Sequence, residues 1–203
     1  MPDLRPVLYI LGLFVSGLGV TMAIPALVDV SLSNPDWEVF VAGALICLFV
    51  GGTLVLVNHS KSMLLDLKQG FLLTAVSWIA LPAFAAVPFT FGELDLRFVD
   101  AYFETVSGLT TTGSTILVGL DHMPPGILLW RALLQWVGGL GIIAMAIAML
   151  PFLRVGGMQL FRMESSDRSA KILPRPAQIV GGIGGAYLGL SALCAACYWV
   201  AGM

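Results

Sequence analysis

Residues 110–113 combine a run of threonines with a glycine, and their backbone carbonyl groups are the first candidates for chemistry in this chain. Glycine tolerates the positive φ that is needed to turn successive carbonyls toward one axis. Rings of backbone carbonyls can replace the hydration shell of a cation. We therefore interpret Thr110, Thr111, Thr112 and Gly113 as candidate cation ligands. An ordinary surface turn between two membrane spans is the alternative interpretation.

The segment that leads into this turn is a candidate pore helix. Apolar and aromatic residues recur at helical spacing over residues 98–108, but the segment is too short to cross a hydrocarbon core of about 30 Å. Non-helical backbone at membrane depth is tolerated only where it lines a water-filled cavity or is buried in protein. A helix whose C-terminus faces the turn adds the negative end of its dipole there. Residues 98–117 therefore predict a re-entrant pore loop.

Two charged residues lie in segments that are otherwise almost free of charge. Glu104 follows Asp100 by one turn of the candidate pore helix, and Arg131 lies near the start of the next apolar run. A buried, unpaired charge in either segment would cost several kcal/mol. One interpretation is that the two residues pair and support the filter from behind, together with Ser114 in the turn. The other is that both side chains extend to the membrane interface.

The composition is that of a membrane protein. Of the 203 residues, 58% are hydrophobic and 11% are charged, whereas charged residues make up about a quarter of a soluble domain. Apolar runs long enough to cross a membrane cover residues 6–28, 39–57, 70–91, 127–150 and 177–201. In the third run, Pro82 and Pro88 predict a kink or an early end. We expect an all-α polytopic fold with about five transmembrane helices plus one re-entrant pore helix and its filter loop.

The sequence argues against an enzyme and against a cofactor. Catalysis would need convergent acid, base or metal-binding residues at membrane depth, and Glu104 and Arg131 are the only candidates. The cysteines Cys47, Cys194 and Cys197 all lie in apolar runs. We therefore interpret them as small packing residues rather than as members of a metal site or a disulfide. The net charge of -2 does not indicate nucleic acid as a partner.

Lysine and arginine residues concentrate in alternate connections, which predicts a cytoplasmic N-terminus and a pore loop that enters from outside. The basic residues on the predicted inner side are Arg5, Lys61, Lys68, Arg154, Arg162, Arg168, Lys171 and Arg175. The acidic residues on the predicted outer side are Asp29, Asp36, Glu38, Glu93, Asp95, Asp100 and Asp121. These acids either raise the local cation concentration or form ordinary solvated loops.

The sequence resembles the membrane subunit of bacterial Trk potassium uptake systems, in the Trk/Ktr/HKT superfamily. The matching stretches are DAYFETVSGLTTTGSTIL at 100–117, LLWRALLQWVGGLGIIAMAIAMLPFLRVGGMQLFR at 128–162 and KILPRPAQ at 171–178. The resemblance implies a pseudo-fourfold pore of span–pore loop–span repeats, often preceded by additional helices. It divides the chain into two additional N-terminal helices (1–68), a first repeat (69–155), a cytoplasmic loop (156–176) and the opening helix of a second, incomplete repeat (177–203).

The resemblance also implies K+ uptake across the bacterial inner membrane, with Na+ as the alternative ion. Thr110, Thr111, Thr112 and Gly113 would supply one quarter of the filter, with K+ bound at Thr111 and Thr112. The implied partners are membrane lipids, a homodimer partner and a cytoplasmic nucleotide-binding regulatory subunit. Ser165, Ser166 and the basic residues 168–175 are a candidate contact for that subunit, or else a solvated or lipid-facing loop.

One filter strand cannot enclose a fourfold ion site. We therefore expect the remaining pore repeats to come from the same longer chain, or, as the alternative, from further copies of this one. A non-transporting assembly or regulatory fragment is the competing interpretation of the function, and a membrane-embedded enzyme is a weaker one.

Overall fold

The computed structural model describes residues 3–59, 65–149 and 176–202. These residues form helices joined by turns, with no strand among them. The helices are α1 (Arg5–Ser31), α2 (Trp37–Val57), α3 (Leu67–Ala85), α4 (Val87–Phe91), α5 (Phe98–Leu109), α6 (Pro125–Met149) and α7 (Pro176–Val200), and a 3-10 turn covers Leu120–His122. The described chain divides into a unit that ends at Gly139 and a second that begins at Leu140.

Within the described residues, five helical segments are long and apolar enough to cross a membrane. They are Arg5–Ser31, Trp37–Val57, Lys68–Phe91, Pro125–Ile143 and Gly181–Val200. This confirms the predicted all-α membrane fold with about five spans. In the second unit, several large apolar side chains of α7 are exposed, among them Leu188, Leu193 and Trp199.

The third span is interrupted at Ala86, where α3 ends and α4 begins. Pro82 lies inside α3, and Pro88 lies in the first turn of α4. A proline has no N–H to donate to the carbonyl four residues earlier, so the helix loses a hydrogen bond there. The interruption confirms the kink or early end that the prolines predicted. Trp130 of α6 donates from its indole Nε1 to the carbonyl of Ala85, at 3.0 Å, and so satisfies a group at the break.

The short helix α5 is held against α3 by hydroxyl groups. Tyr102 donates to the carbonyl of Ile79 at 3.1 Å, and Thr105 donates to the carbonyl of Pro82 at 2.9 Å. These two carbonyls are three residues apart, so they lie on one face of α3. The kinked third span therefore serves as the support for the candidate pore helix.

An apolar core joins α1 and α2 to the candidate pore helix α5 and to α6. Phe40 of α2 packs edge-on against Trp130 of α6, with their ring centroids 6.2 Å apart. The same cluster of buried residues includes Val15, Leu18, Met22, Ala101, Leu109, Ile127 and Leu134. The helices α1 and α2 therefore share one apolar core with α5 and α6.

Candidate functional site

The candidate filter turn begins as the C-terminal cap of α5. The backbone N–H of Thr111 donates to the carbonyl of Gly108, and that of Thr112 donates to the carbonyl of Ser107, both at 3.0 Å. This pair of bonds ends a helix when the residue after its cap adopts the left-handed conformation. Thr111 does so, with φ 56°. A residue other than glycine in that region costs on the order of 1–3 kcal/mol, so the surrounding contacts must hold Thr111 in place.

Gly113 also has a positive φ, of 78°. Residues 111–116 are exposed in this chain. Among the described residues, none donates a hydrogen bond to the carbonyls of Thr110, Thr111, Thr112 or Gly113. Within the described part of the chain, these four carbonyls therefore have no hydrogen-bond donor, and three of the four residues are exposed.

Glu104 binds the extended segment that follows the turn. Its Oε1 accepts a hydrogen bond from the hydroxyl of Thr115 and another from the backbone N–H of Ile116, both at 2.6 Å. Its Oε2 accepts from Nε of Arg131 at 3.2 Å. The Glu104 side chain is 1% exposed and that of Arg131 is 17% exposed. The buried carboxylate thus has a charged partner on one oxygen and two donors, from Thr115 and Ile116, on the other, which offsets the cost of its burial.

A hydrogen bond between Ser107 and Ser114 also spans the turn. The hydroxyl of Ser107, in the last turn of α5, donates to the backbone carbonyl of Ser114 at 2.6 Å. Within the turn, the hydroxyls of Thr110 and Thr112 share a hydrogen bond of 2.8 Å. The turn is therefore fixed both to the helix that precedes it and within itself.

Helix α6 touches the C-terminal end of α5. A Cβ atom added at Gly138 would overlap the carbonyl group of Leu109. A Cβ added at Gly108 would lie 3.2 Å from Cβ of Leu134. The absence of these two side chains lets α6 approach the last turn of α5, close to the point where the candidate filter begins.

Residues 37–203 match the family model TrkH, which describes a cation transport protein. The chain belongs to the TrkH family. Members of the TrkH family are membrane transport proteins rather than enzymes.

Individual members of the TrkH family resemble this chain along almost all of its length. The Trk system potassium uptake protein TrkI of Halomonas elongata is 42% identical over 198 residues, which cover 98% of this chain and 40% of the relative. The Trk system potassium uptake protein TrkH of Escherichia coli K12 is 41% identical over 202 residues, which cover 98% of this chain and 42% of the relative. The crystal structure of the potassium transporter TrkH from Vibrio parahaemolyticus matches with a TM-score of 0.86 at 35% identity and covers 100% of this chain. This chain spans 40% of the length of that structure.

The structure of this TrkH-family chain brings two of the predicted site residues into contact and adds two residues that the sequence did not indicate. Glu104 and Arg131 are in contact. The sequence allowed either such a pair or two separate residues at the membrane interface. Ser114 supplies its backbone carbonyl to the hydrogen bond with Ser107. Sequence reasoning missed Ser107 and Thr115, because a hydroxyl residue beside a glycine-rich turn carries no signal of which group it will meet. The loop 156–176, with Ser165 and Ser166, lies outside the described residues except for its last position.

Proposed function

We propose that this chain takes part in K+ uptake across the bacterial inner membrane, as a multi-pass protein. In this proposal the backbone carbonyls of Thr110, Thr111, Thr112 and Gly113 form one quarter of a selectivity filter. One observation carries it: an exposed turn with free carbonyls follows a helix of 12 residues. That helix is about 18 Å long, too short to cross the membrane, so it enters and returns.

The physics of the turn suits a cation. The C-terminal end of α5, at Leu109, carries the negative end of a helix dipole. K+ would bind at the carbonyls of Thr111 and Thr112, which would take the place of water molecules in its hydration shell. No bond is made or broken. Whether Na+ also passes depends on how firmly the carbonyls are held in place. We propose that Glu104, Arg131 and Ser114 provide this support.

The remaining quarters of the filter would meet this chain at its exposed surface. Besides residues 111–116, α5 exposes Val99 and Phe103, which are four residues apart on one side of the helix. An exposed apolar face next to a filter turn supports contact with further pore repeats. We propose that these come from the same longer protein, since its relatives extend well beyond the matched region.

We further propose that the chain divides into residues 1–68, 69–155, 156–176 and 177–203, and that its N-terminus is cytoplasmic. The basic residues in alternate connections support that orientation. A cytoplasmic nucleotide-binding regulatory subunit and a homodimer partner remain proposals that rest on the family resemblance.

Uptake of Rb+, a substitute for K+, tests the proposed function. The complete transporter that contains this chain is expressed in a bacterial strain without K+ uptake systems of its own. We expect it to restore growth at low K+ and to take up Rb+. Normal membrane insertion without any uptake of Rb+ would contradict the proposal.

A further inference from the structure

Two aspartates, one near the end of α1 and one at the start of α2, are almost completely buried, as Glu104 is. Asp29, in the last turn of α1, is 0% exposed, and Asp36, just before α2, is 4% exposed. Among the described residues, neither forms an ion pair. A buried carboxylate is costly unless it accepts hydrogen bonds. The partners of these two carboxylates therefore indicate what they do.

Asp36 binds the backbone before the pore helix. Its Oδ1 accepts a hydrogen bond from the N–H of Glu93 at 2.8 Å. A Cβ atom added at the neighbouring Gly92 would lie 3.3 Å from both carboxylate oxygens, so the carboxylate fits closely against this backbone. In the described structure its Oδ2 has no hydrogen-bond partner. The carboxylate thus depends on a single donor from the pore segment.

Asp29 binds the backbone after the filter in the same way. Its Oδ1 accepts from the N–H of Gly126 at 2.8 Å, and its Oδ2 also has no partner in the described structure. A Cβ atom added at Gly126 would overlap this carboxylate. The donors to Asp36 and Asp29 therefore lie on either side of the pore helix and the filter turn.

A short turn holds the two aspartates in a fixed relation. The backbone N–H of Asn34 donates to the carbonyl of Asp29 at 2.9 Å. The side-chain Oδ1 of Asn34 accepts from the N–H of Asp36 at 2.8 Å. Because α1 and α2 also share an apolar core with α5 and α6, the two carboxylates belong to a support that packs against the candidate pore helix.

We propose that Asp29 and Asp36 are positioning residues for the filter, through which the hairpin of α1 and α2 holds both ends of residues 93–126. The inference rests on the proposed filter function. The helices α1 and α2 would then contribute to ion selectivity, because the positions of the filter carbonyls determine how they coordinate each ion.

The test uses the complete transporter in liposomes and measures the ratio of Rb+ to Na+ permeability. The variants are Asp36→Ala and Asp29→Ala, each compared with the matching Asn variant, which keeps an oxygen that can accept the backbone hydrogen bond. We expect each Ala variant to lower the ratio by about tenfold, the effect of losing one hydrogen bond to a charged acceptor, and each Asn variant to retain most of it. The exposed Asp121 serves as the control, and Asp121→Ala should leave the ratio unchanged.

Equal loss in the Ala and Asn variants, or an unchanged ratio in both Ala variants, would overturn the inference. Hydrogen exchange of the unmutated protein gives a second measurement that needs neither transport nor a folded variant. We expect the amides of Glu93 and Gly126 to be protected, and exchange at the rate of free amides would also overturn the inference. Absence of any Rb+ uptake by the unmutated protein, with both amides protected, would instead contradict the proposed function alone.

Discussion

The Nε atom of Arg131 lies 3.2 Å from Oε2 of Glu104, and the other oxygen of the same carboxylate binds the segment after the candidate filter turn. The pair therefore connects three parts of the molecule: α6, the candidate pore helix α5, and residues Thr115 and Ile116. Loss of either charge is expected to affect this segment as well as the pair.

A double-mutant cycle measures this connection. Glu104→Gln and Arg131→Gln each leave one charge in a poorly hydrated site, at a cost on the order of 3–5 kcal/mol. Removing both charges should cost less than the sum of the two single changes. The measurement is thermal stability in detergent, with ion uptake as a second readout.

The exposed pair of Arg97 and Asp100 provides the matched control for this cycle. Its atoms Nε and Oδ2 are 2.9 Å apart, but the Arg97 side chain is 85% exposed. Exposed pairs contribute only about 0.2–1 kcal/mol, so Arg97→Gln and Asp100→Asn should have small effects. Strict additivity at Glu104 and Arg131, to within a few tenths of a kcal/mol, would show that the pair is not coupled.

A comparison of alanine variants at Gly113 and Gly119 distinguishes the effect of backbone strain from the loss of filter function. They have φ of 78° and 74°, and an added Cβ would meet nothing within 4 Å at either position. Alanine at either position is therefore strained to a similar degree. We expect Gly113→Ala to abolish Rb+ uptake with normal membrane insertion, and Gly119→Ala to retain it. Normal rates in a well-expressed Gly113→Ala variant would refute the filter assignment.

Ser107 and Ser114 occupy the two ends of one hydrogen bond. Ser107→Ala removes the donor, which should cost about 1 kcal/mol and loosen the turn. Ser114→Ala leaves its backbone carbonyl in place and should change little. The Rb+ to Na+ permeability ratio is expected to fall in the first variant and to hold in the second. The reverse order would mean that the Ser114 side chain has a role of its own.

Part of this arrangement could be predicted from the sequence. Long apolar runs define the spans because a membrane requires length and low charge, and the prolines of the third run identify its interruption. The sequence predicts that the first span ends at residue 28, but α1 continues to Ser31. Asp29 has the pattern of a residue that begins a solvated turn, yet it lies buried in the helix.

The contacts of the acidic residues could not be predicted in the same way. Asp29 and Gly126 are 97 positions apart, and Asp36 and Glu93 are 57 positions apart. An acidic residue next to a turn has the same local pattern whether it faces water or a backbone N–H. Tertiary packing alone decides between the two, as it does for Thr115 and Ser107.

Gly138 tests whether α6 fixes the end of the pore helix. In Gly138→Ala the new methyl group overlaps the Leu109 carbonyl, so we expect a loss of about 1–3 kcal/mol in stability and slower uptake. At Gly141 an added Cβ meets nothing within 4 Å, and Gly141→Ala should preserve both properties. Equal effects from the two changes would point to helix flexibility rather than to this contact.

Anomalous X-ray diffraction from crystals of the complete transporter grown in Rb+ locates the transported ion itself. We expect an anomalous peak in contact with the backbone carbonyls of Thr111 and Thr112, next to Gly113. A fully occupied Rb+ site elsewhere along the pore, with no peak at these carbonyls, would contradict the filter assignment.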